Sequence, residues 1–185
     1  MKDAVLIVGN GYVAWSCAYR LVKSGLLSGD QIIVVDDGNN QDENLYAVMP
    51  SYLTWLGLMG IQDKDFVKDT LSSYYVGVDY QIPSGLSQII AHVEYGFVID
   101  DVPFLQQYQA LASNNDLGSI ECYSIAAMAT KNNRFAHPSE DSKSLFSKLN
   151  YSLIINTEYA MRYLKGVCLD LGVQTREGHI EKVTF

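Results

Sequence analysis

The beginning of the chain combines two apolar runs with a helical pattern between them. Residues 4–9 (AVLIVG) are almost continuously apolar, which is typical of a strand buried on both faces of a parallel sheet. After Gly11, small and apolar residues recur at helical spacing, and a second apolar run at 32–35 ends at Asp36. This pattern predicts one β-α-β unit over residues 4–36.

The rest of the chain carries shorter patterned segments separated by polar stretches. The pattern predicts helices over 53–59, over 62–71 and after Pro103, and a strand over 73–83. Polar loops are predicted over 36–44 and 131–143. A last helix is predicted to start at the N-cap residues Asn156 and Thr157 and to end at Gly172, and an extended segment follows it. Alternating helices and strands of this kind indicate the α/β class.

The two glycines between the first strand and the first helix lie in a G-x-G-x-x-A pattern, Gly9-Asn10-Gly11-Tyr12-Val13-Ala14. Gly9 permits a sharp turn, Gly11 lets the backbone approach a pyrophosphate at the positive end of the helix dipole, and the small Ala14 allows close packing against the strand. Asp36 follows the second strand, where a carboxylate can accept hydrogen bonds from the ribose hydroxyls of adenosine. The pattern predicts dinucleotide binding and disfavours NADP, whose 2′-phosphate the acid would repel. It does not separate NAD from FAD, and a tight turn without a ligand is the alternative.

Composition and charge restrict the classes of function. Of the 185 residues, 48% are hydrophobic and 18% are charged, as in globular proteins, and the net charge of −8 disfavours nucleic-acid binding. No apolar run is long enough to cross a membrane, and the first apolar run is too short and too acidic in its surroundings for a signal peptide. We therefore expect a soluble protein with no membrane association and a cytoplasmic location.

The cysteines and histidines form no recognisable disulfide or metal pattern. Cys17, Cys122 and Cys168 are far apart and lack C-x-x-C spacing, and the three histidines lack short ligand spacing. We expect no metal site. Cys17 and Cys168 fall on apolar faces of predicted helices, which predicts buried and inert thiols.

Three tyrosines lie in the predicted strand 73–83, where alternate residues face opposite sides. Tyr74 and Tyr80 are therefore predicted on one face and Tyr75 on the other. Aromatic side chains at these positions can line a pocket or a tunnel, and core packing is expected for two of the three.

The dinucleotide motif and several later segments resemble one protein family. "IVGNGYVAW" (7–15) is similar to the "IVGGGxAGW" opening of the flavin-dependent tryptophan halogenases, including the tryptophan after the third small residue. Segments 56–80, 100–111, 123–138 and 149–183 resemble later parts of that family in order and spacing. The resemblance implies FAD as cofactor, a separate flavin reductase that supplies it in reduced form, and molecular oxygen to oxidise chloride or bromide. It also implies a small aromatic substrate beside a lysine that holds or activates the hypohalous acid.

The resemblance further implies the fold, a Rossmann-like FAD-binding domain of the flavoprotein monooxygenase type, here incomplete and with an inserted α+β segment. Residues 1–185 are then its amino-terminal part, with a Rossmann βαβ unit over 4–36, an insertion over about 37–150, and a helix and strand returning to the sheet over 151–185. The candidate FAD-binding residues are Gly9, Gly11, Tyr12, Val13, Ala14, Trp15 and Asp36. Uncovered strand edges of an incomplete sheet favour a homo-oligomer.

Departures from the family pattern bear on the chemistry. Tyr75 stands where the family has its lysine, and a phenol with a pKa of about 10 cannot supply a cationic amine. The flavin-facing Gly-x-Gly-Glu-Ala-Thr loop is replaced by residues 43–48 (ENLYAV), in which the bulky Leu45 and Tyr46 oppose close backbone approach. The W-x-W-x-I-P signature of the family does not occur in these residues.

These features favour an FAD-dependent oxidoreductase related to tryptophan halogenases and flavin monooxygenases that does not halogenate as this chain stands. The alternative is a catalytically silent relative that serves as a binding or regulatory module. An NAD-dependent dehydrogenase ranks third, because its usual catalytic pairs are not recognisable. The catalytic residues and the substrate stay open at this point.

Overall fold

The computed structural model describes residues 4–36, 38, 44–83, 85, 87–92, 95–113 and 116–178. The chain forms two compact units: residues up to Ser73 and from Ile154 onward make the first, and Tyr74–Leu153 make the second. In chain order the elements are β1 (Val5–Val8), α1 (Tyr12–Lys23), β2 (Ile32–Asp36), β3 (Leu45–Ala47), α2 (Ser51–Leu58), α3 (Asp63–Thr70), β4 (Ser73–Tyr75), β5 (Gly77–Gln81), β6 (Ser87–Ala91), α4 (Phe104–Ala112), α5 (Ile125–Lys131), β7 (Ser152–Asn156), α6 (Thr157–Asp170) and β8 (Gln174–Glu177).

The first unit contains a parallel three-stranded sheet with the order β1-β2-β8. Val5 lies opposite Ile32 and Ile33 lies opposite Gln174 in the two parallel pairs. Helices α1 and α6 pack against each other. The side chains that these two helices bury completely are Trp15, Ala18, Ala160, Leu164 and Cys168. The unit is thus held by an apolar interior between helices, beside a parallel sheet.

The burial of β1 differs from the sequence expectation. Its continuous apolar run predicts a strand covered on both faces, but β1 is an edge strand in which Leu6 is 57% exposed and Val8 is 51% exposed. That prediction is wrong for this chain. A parallel strand is buried only when other strands flank it and helices cover both faces, and among the described residues β2 is the one strand paired with β1.

A second sheet has the strand order β3-β7-β4. β3 runs antiparallel to β7, with Tyr46 opposite Ile155. Helix α6 starts directly after β7, where the side chain of Asn156 accepts a hydrogen bond from the backbone N–H of Tyr159 at 3.3 Å. The predicted N-cap is therefore confirmed at Asn156.

Aromatic rings connect α2, α3 and α6 in the first unit. Tyr52 stacks on Trp55 with ring centroids 5.3 Å apart and meets Phe66 edge-on at 6.0 Å. Phe66 in turn meets Tyr163 edge-on at 5.6 Å. Edge-to-face and offset-stacked pairs of this kind add about 0.5–1.5 kcal/mol beyond the burial of their surface.

The second unit is built on an antiparallel pair and a short helix. β5 and β6 pair with Val78 opposite Ile90. The buried centre of this unit consists of Val76, Ala126 and Leu149. A separate cluster of four rings, with all centroids 4.8–5.8 Å from one another, comprises Tyr74, Phe135, His137 and Tyr151.

The predicted helices near 53–59, 62–71, after Pro103 and from Thr157 are confirmed by α2, α3, α4 and α6. The predicted strand 73–83 divides at Val76 into β4 and β5, which belong to different sheets. Because of this break, the three tyrosines do not lie on one continuous strand, and the prediction of which of them share a face no longer applies. Tyr75 is buried and Tyr80 is exposed. Strands β3, β6 and β7 were not predicted, because each is short and lacks the run of four apolar residues that marks β1 and β2. Helix α5 was not predicted, because its apolar residues are consecutive and show no helical spacing.

The two helical cysteines differ in burial. Cys168 is fully buried, as predicted, whereas Cys17 is exposed, so the prediction of a buried thiol is wrong for Cys17. The buried residues of α1 are Ala14, Trp15, Ala18 and Tyr19, and Cys17 is not among them. Ala14 and Ala18 are four positions apart, as are Trp15 and Tyr19, so the two pairs form one buried stripe, and Cys17 projects to the side of it.

Candidate functional site

The glycine turn joins β1 to α1 in the first unit. Gly9 has φ +111°, a conformation that favours glycine, and a Cβ built on it would face open space. Its N–H donates to the carbonyl of Val35 at 2.9 Å, which ties the turn to β2. Gly11 precedes α1 as the N-cap residue and offers no side chain to cap it. Since the first N–H groups of a helix have no acceptor within the helix, α1 begins with an uncapped positive end.

The four residues after the turn have different environments. Tyr12 is half-buried, and Val13 is 76% exposed, so what Val13 offers at the helix start is its backbone N–H. Ala14 and Trp15 are buried on the inner face of α1. Ala14 therefore has the packed position for which a small side chain was predicted. Trp15 belongs to the buried core of the unit.

A series of side-chain hydrogen bonds connects the inner face of α1 to the end of β2. The indole Nε1 of Trp15 donates to Oδ1 of Asn10 at 2.9 Å, and Nδ2 of Asn10 donates to Oδ2 of Asp36 at 2.5 Å. Asn10 is 5% exposed and Trp15 is fully buried. The structure thus brings together the turn, the helix and the acid, which the sequence separates by up to 26 positions.

The carboxylate of Asp36 keeps acceptor capacity. Its Oδ2 accepts from Asn10, and its Oδ1 accepts from the backbone N–H of Gly38 at 3.0 Å. A carboxylate offers roughly four acceptor positions, so two are left for another donor. The end of β2 can therefore still receive hydroxyl groups, beside a helix start that can receive an anion.

A pair of tyrosine hydroxyls lies next to the turn. The hydroxyls of Tyr12 and Tyr52 are 2.5 Å apart and share one hydrogen bond, which joins α1 to α2. Burial raises the pKa of Tyr12 above its ordinary value, and burial, together with the nearby Tyr12, does the same for Tyr52. Both phenols are therefore neutral hydrogen-bonding groups at neutral pH.

Two site residues were missed by reasoning from the sequence. Asn10 stands at the variable position between the glycines, and Tyr52 lies in an apolar helix 40 positions from its partner. For Asn10 a signal existed: a tryptophan predicted on an inner helix face needs an acceptor for its indole N–H, and Asn10 is a nearby polar side chain. For Tyr52 the sequence carries no such signal.

In the second unit, Tyr75 stands where the resemblance expects a lysine. Its side chain is 8% exposed, and its ring meets that of His92 edge-on at 4.8 Å. Burial raises the pKa of Tyr75, opposed by a hydrogen bond with Ser152, and burial lowers the pKa of His92. Nε2 of His92 is buried and has no hydrogen-bond partner among the described residues. Both groups are neutral at pH 7, so this pair supplies no cation.

The replaced loop is described in part. Glu43 and the residues at 39–42 lie outside the described residues. Leu45 and Tyr46 belong to β3 and have exposed side chains. Their predicted interference with flavin stays a prediction.

The part of the chain that the structure describes contains no metal-binding cluster and no helix able to span a membrane. No group of three or more His, Cys, Asp or Glu side chains in this part of the chain is placed to hold a metal ion, and His179 lies outside it. Within the same residues, every helix is too short or too polar to cross a bilayer.

Comparison with solved structures identifies the fold. BrvH, a flavin-dependent halogenase from Brevundimonas sp. BAL3, is similar over 98% of this chain and 36% of its own, with a TM-score of 0.84 and 20% identity. Xcc4156, a flavin-dependent halogenase from Xanthomonas campestris, gives a TM-score of 0.83 and 23% identity over the same shares. A tryptophan 6-halogenase (SttH) from Streptomyces toxytricini gives a TM-score of 0.78 and 17% identity, over 98% of this chain and 38% of its own. At these identities the likeness shows a mixed α/β fold shared with flavin-dependent halogenases.

The family follows from the sequence itself. The chain spans little more than a third of the length of these solved structures. No curated protein matches it. The family model described as tryptophan halogenase matches residues 4–185, which is nearly the whole chain. The resemblance found in the dinucleotide motif and the later segments is therefore confirmed: the chain belongs to the tryptophan halogenase family.

Proposed function

We propose that this chain is the amino-terminal part of an FAD-dependent oxidoreductase of the halogenase and flavin monooxygenase class, and that its first unit binds FAD. In this proposal the pyrophosphate lies at the uncapped start of α1, against Gly9, Gly11 and the backbone of residues 12–14. The ribose of adenosine lies at Asp36. The observation that carries the proposal is the combination of an uncapped helix start with a carboxylate that has two acceptor positions left.

The described residues fit such a group. Open space around Gly9 leaves room for close approach, and no side chain caps α1. When bound, FAD would supply electron transfer to oxygen. This chain's own residues would bind and orient it: helix N–H groups donate to the phosphate oxygens, Asp36 accepts from hydroxyls, and Trp15 holds Asn10 in place.

We propose that the chain as it stands does not halogenate. Tyr75 is buried and neutral, and the neighbouring His92 is neutral too. A phenol and a neutral imidazole do not replace an ammonium group as partner for a hypohalous acid. Further parts of the proposal are a separate flavin reductase, a small aromatic substrate and a cytoplasmic location.

The test is an FAD titration of the purified chain, followed by flavin absorbance and tryptophan quenching. Saturable binding is expected, and Gly11→Val should weaken it at least about tenfold, because a β-branched side chain at the turn blocks the pyrophosphate. Gly166→Val in α6 is the matched control, since a Cβ there meets open space and the position is exposed. Absence of saturable binding by the native chain, or equal affinity in Gly11→Val, would contradict the proposal.

A second candidate is a catalytically silent relative that serves as a binding or regulatory module. The specific observation in its favour is the buried, neutral Tyr75 at the position of the family lysine. This candidate predicts that Tyr75→Lys restores no halogenation, even in the presence of reduced FAD, oxygen, chloride and an aromatic substrate. Turnover of an aromatic substrate by the native sequence would rule it out.

A further inference from the structure

Asn10 is the one residue between the two turn glycines, and its amide bonds to two other residues. Its Oδ1 accepts from Trp15 and its Nδ2 donates to Asp36. We propose that Asn10 is a positioning residue that orients the Asp36 carboxylate toward the vicinal diol of the adenosine ribose, so that the site selects a free 2′-hydroxyl. This inference rests on the proposed function, because it concerns the same site.

The orientation of the Asn10 amide follows from its partners. An indole N–H can only donate, so the amide atom that faces Trp15 has to be the oxygen. The nitrogen then faces Asp36, where it donates to a charged acceptor at 2.5 Å. Since Trp15 is fully buried, the indole holds the amide in one orientation, and the amide transmits that orientation to the carboxylate.

The hydrogen-bond capacity of Asp36 matches a diol. Asn10 uses one acceptor position on Oδ2, and the N–H of Gly38 uses one on Oδ1. With roughly two positions per oxygen, one position is left on each. Two adjacent hydroxyls supply one donor to each oxygen, whereas a 2′-phosphate brings negative charge and removes one donor.

Asparagine combines an acceptor and a donor on one short side chain, which neither aspartate nor alanine does. Aspartate at position 10 would accept from Trp15 but would place a second carboxylate against Asp36. Alanine would leave the buried indole N–H without its acceptor and the carboxylate without its side-chain donor. Only a side chain with one donor end and one acceptor end joins Trp15 to Asp36.

The test compares ligands that differ by one hydroxyl. ADP, 2′-deoxy-ADP and inorganic pyrophosphate are titrated against the native chain, Asn10→Ala and Asp36→Asn by calorimetry. The native chain should bind ADP about tenfold more tightly than 2′-deoxy-ADP, the loss expected for one charge-assisted hydrogen bond. In Asn10→Ala this ratio should fall toward one, while pyrophosphate affinity stays within about twofold of native. Asp36→Asn should also abolish the preference for ADP, as the reference for a site without its carboxylate. If Asn10→Ala does not fold, Asn10→Asp replaces it, because aspartate keeps the acceptor for Trp15 and loses the donor to Asp36, so the preference should fall there too.

A control variant tests whether loss of any amide side chain changes the preference for ADP, and tryptophan emission reports on the bond between Asn10 and Trp15. Asn132→Ala removes an exposed amide whose Nδ2 donates to the carbonyl of Met128 in the second unit, and it should leave the ratio unchanged. In a Trp55→Phe background, Asn10→Ala should shift the emission of Trp15, because its indole loses its acceptor. An unchanged ratio in Asn10→Ala, or a parallel loss of all three ligands in a folded variant, overturns the inference alone. Failure of the native chain to bind FAD, ADP or pyrophosphate overturns the proposed function and the inference with it.

Discussion

The indole nitrogen of Trp15 donates a hydrogen bond to the side-chain oxygen of Asn10, five residues earlier, over 2.9 Å. Both residues are buried, so each group depends on the other for its hydrogen bond. The bond joins the first turn of α1 to the glycine turn that precedes it. Packing in the helical interior is thereby connected to the geometry of the candidate binding site.

Trp15→Phe should therefore destabilise the chain by roughly 3 kcal/mol, because it leaves a cavity and strands the buried oxygen of Asn10. Urea unfolding followed by circular dichroism measures this. The control is Trp55→Phe, at a half-buried residue stacked on Tyr52, for which we expect a smaller loss. Equal losses in both variants would show that the Trp15–Asn10 bond contributes nothing specific.

The hydroxyl pair of Tyr12 and Tyr52 should show direct energetic coupling. We expect a double-mutant cycle of Tyr12→Phe and Tyr52→Phe to give a coupling free energy of about 1 kcal/mol, the net value of one hydrogen bond between partly buried groups. The free energy of unfolding is measured for all four proteins. Purely additive losses would mean that the two hydroxyls do not bond in solution.

Two glycines should respond in opposite directions to the same substitution. A Cβ on Gly29 would lie 2.0 Å from the backbone oxygen of Leu171, so Gly29→Ala should cost at least about 3 kcal/mol or prevent folding. Gly166 lies within α6 and a Cβ there meets open space, so Gly166→Ala should stabilise by roughly 0.5–1 kcal/mol. Thermal unfolding compares both with the native chain. A mild effect at Gly29 would show that the turn before β2 and the end of α6 are not in close contact.

The three thiols should differ in reactivity. Cys17 and Cys122 are exposed, whereas Cys168 is buried, and burial raises its pKa from 9.0 to about 12. In the native chain, a thiol reagent at about pH 8 should modify two cysteines rapidly and the third only after unfolding. Mass spectrometry of the labelled peptides identifies which one is protected. Rapid labelling at Cys168 would contradict its burial.

The same thiol predicts a loss of stability in alkali. Above pH 9.0 the thiol of the unfolded chain releases its proton, while the folded thiol keeps it up to about pH 12. The contribution of this thiol to the free energy of unfolding is therefore complete below pH 9.0 and is lost as the pH rises from 9.0 to about 12. With pH 8 as the baseline, Cys168→Ala should flatten the start of this decline, from pH 9.0 to about pH 9.5, before most tyrosines ionise. The control is Cys17→Ala, which removes an exposed thiol and keeps Cys168, so the decline should persist. Identical slopes in native and Cys168→Ala chains would refute this assignment.

Several elements could be predicted because their signals are local. Helix α1 and strand β2 follow from the spacing of apolar residues, and the N-cap of α6 follows from the hydrogen-bonding chemistry of Asn156. The glycine turn is local too, since the positive φ of Gly9 is a property of one residue and its neighbours. The family resemblance depends on the same local motifs, and the family match over residues 4–185 confirms it.

The exposure of β1, the division of strand 73–83 at Val76 and the exposure of Cys17 were decided by tertiary structure. So were the bonds that join Asn10 to Trp15 and Asp36, and Tyr12 to Tyr52. The physical reason is the same in each case. Periodicity along the chain states which side chains prefer burial. Whether a neighbour buries them or accepts their hydrogen bonds depends on distant residues, 40 positions away for Tyr12 and Tyr52 and 153 positions away for Trp15 and Cys168.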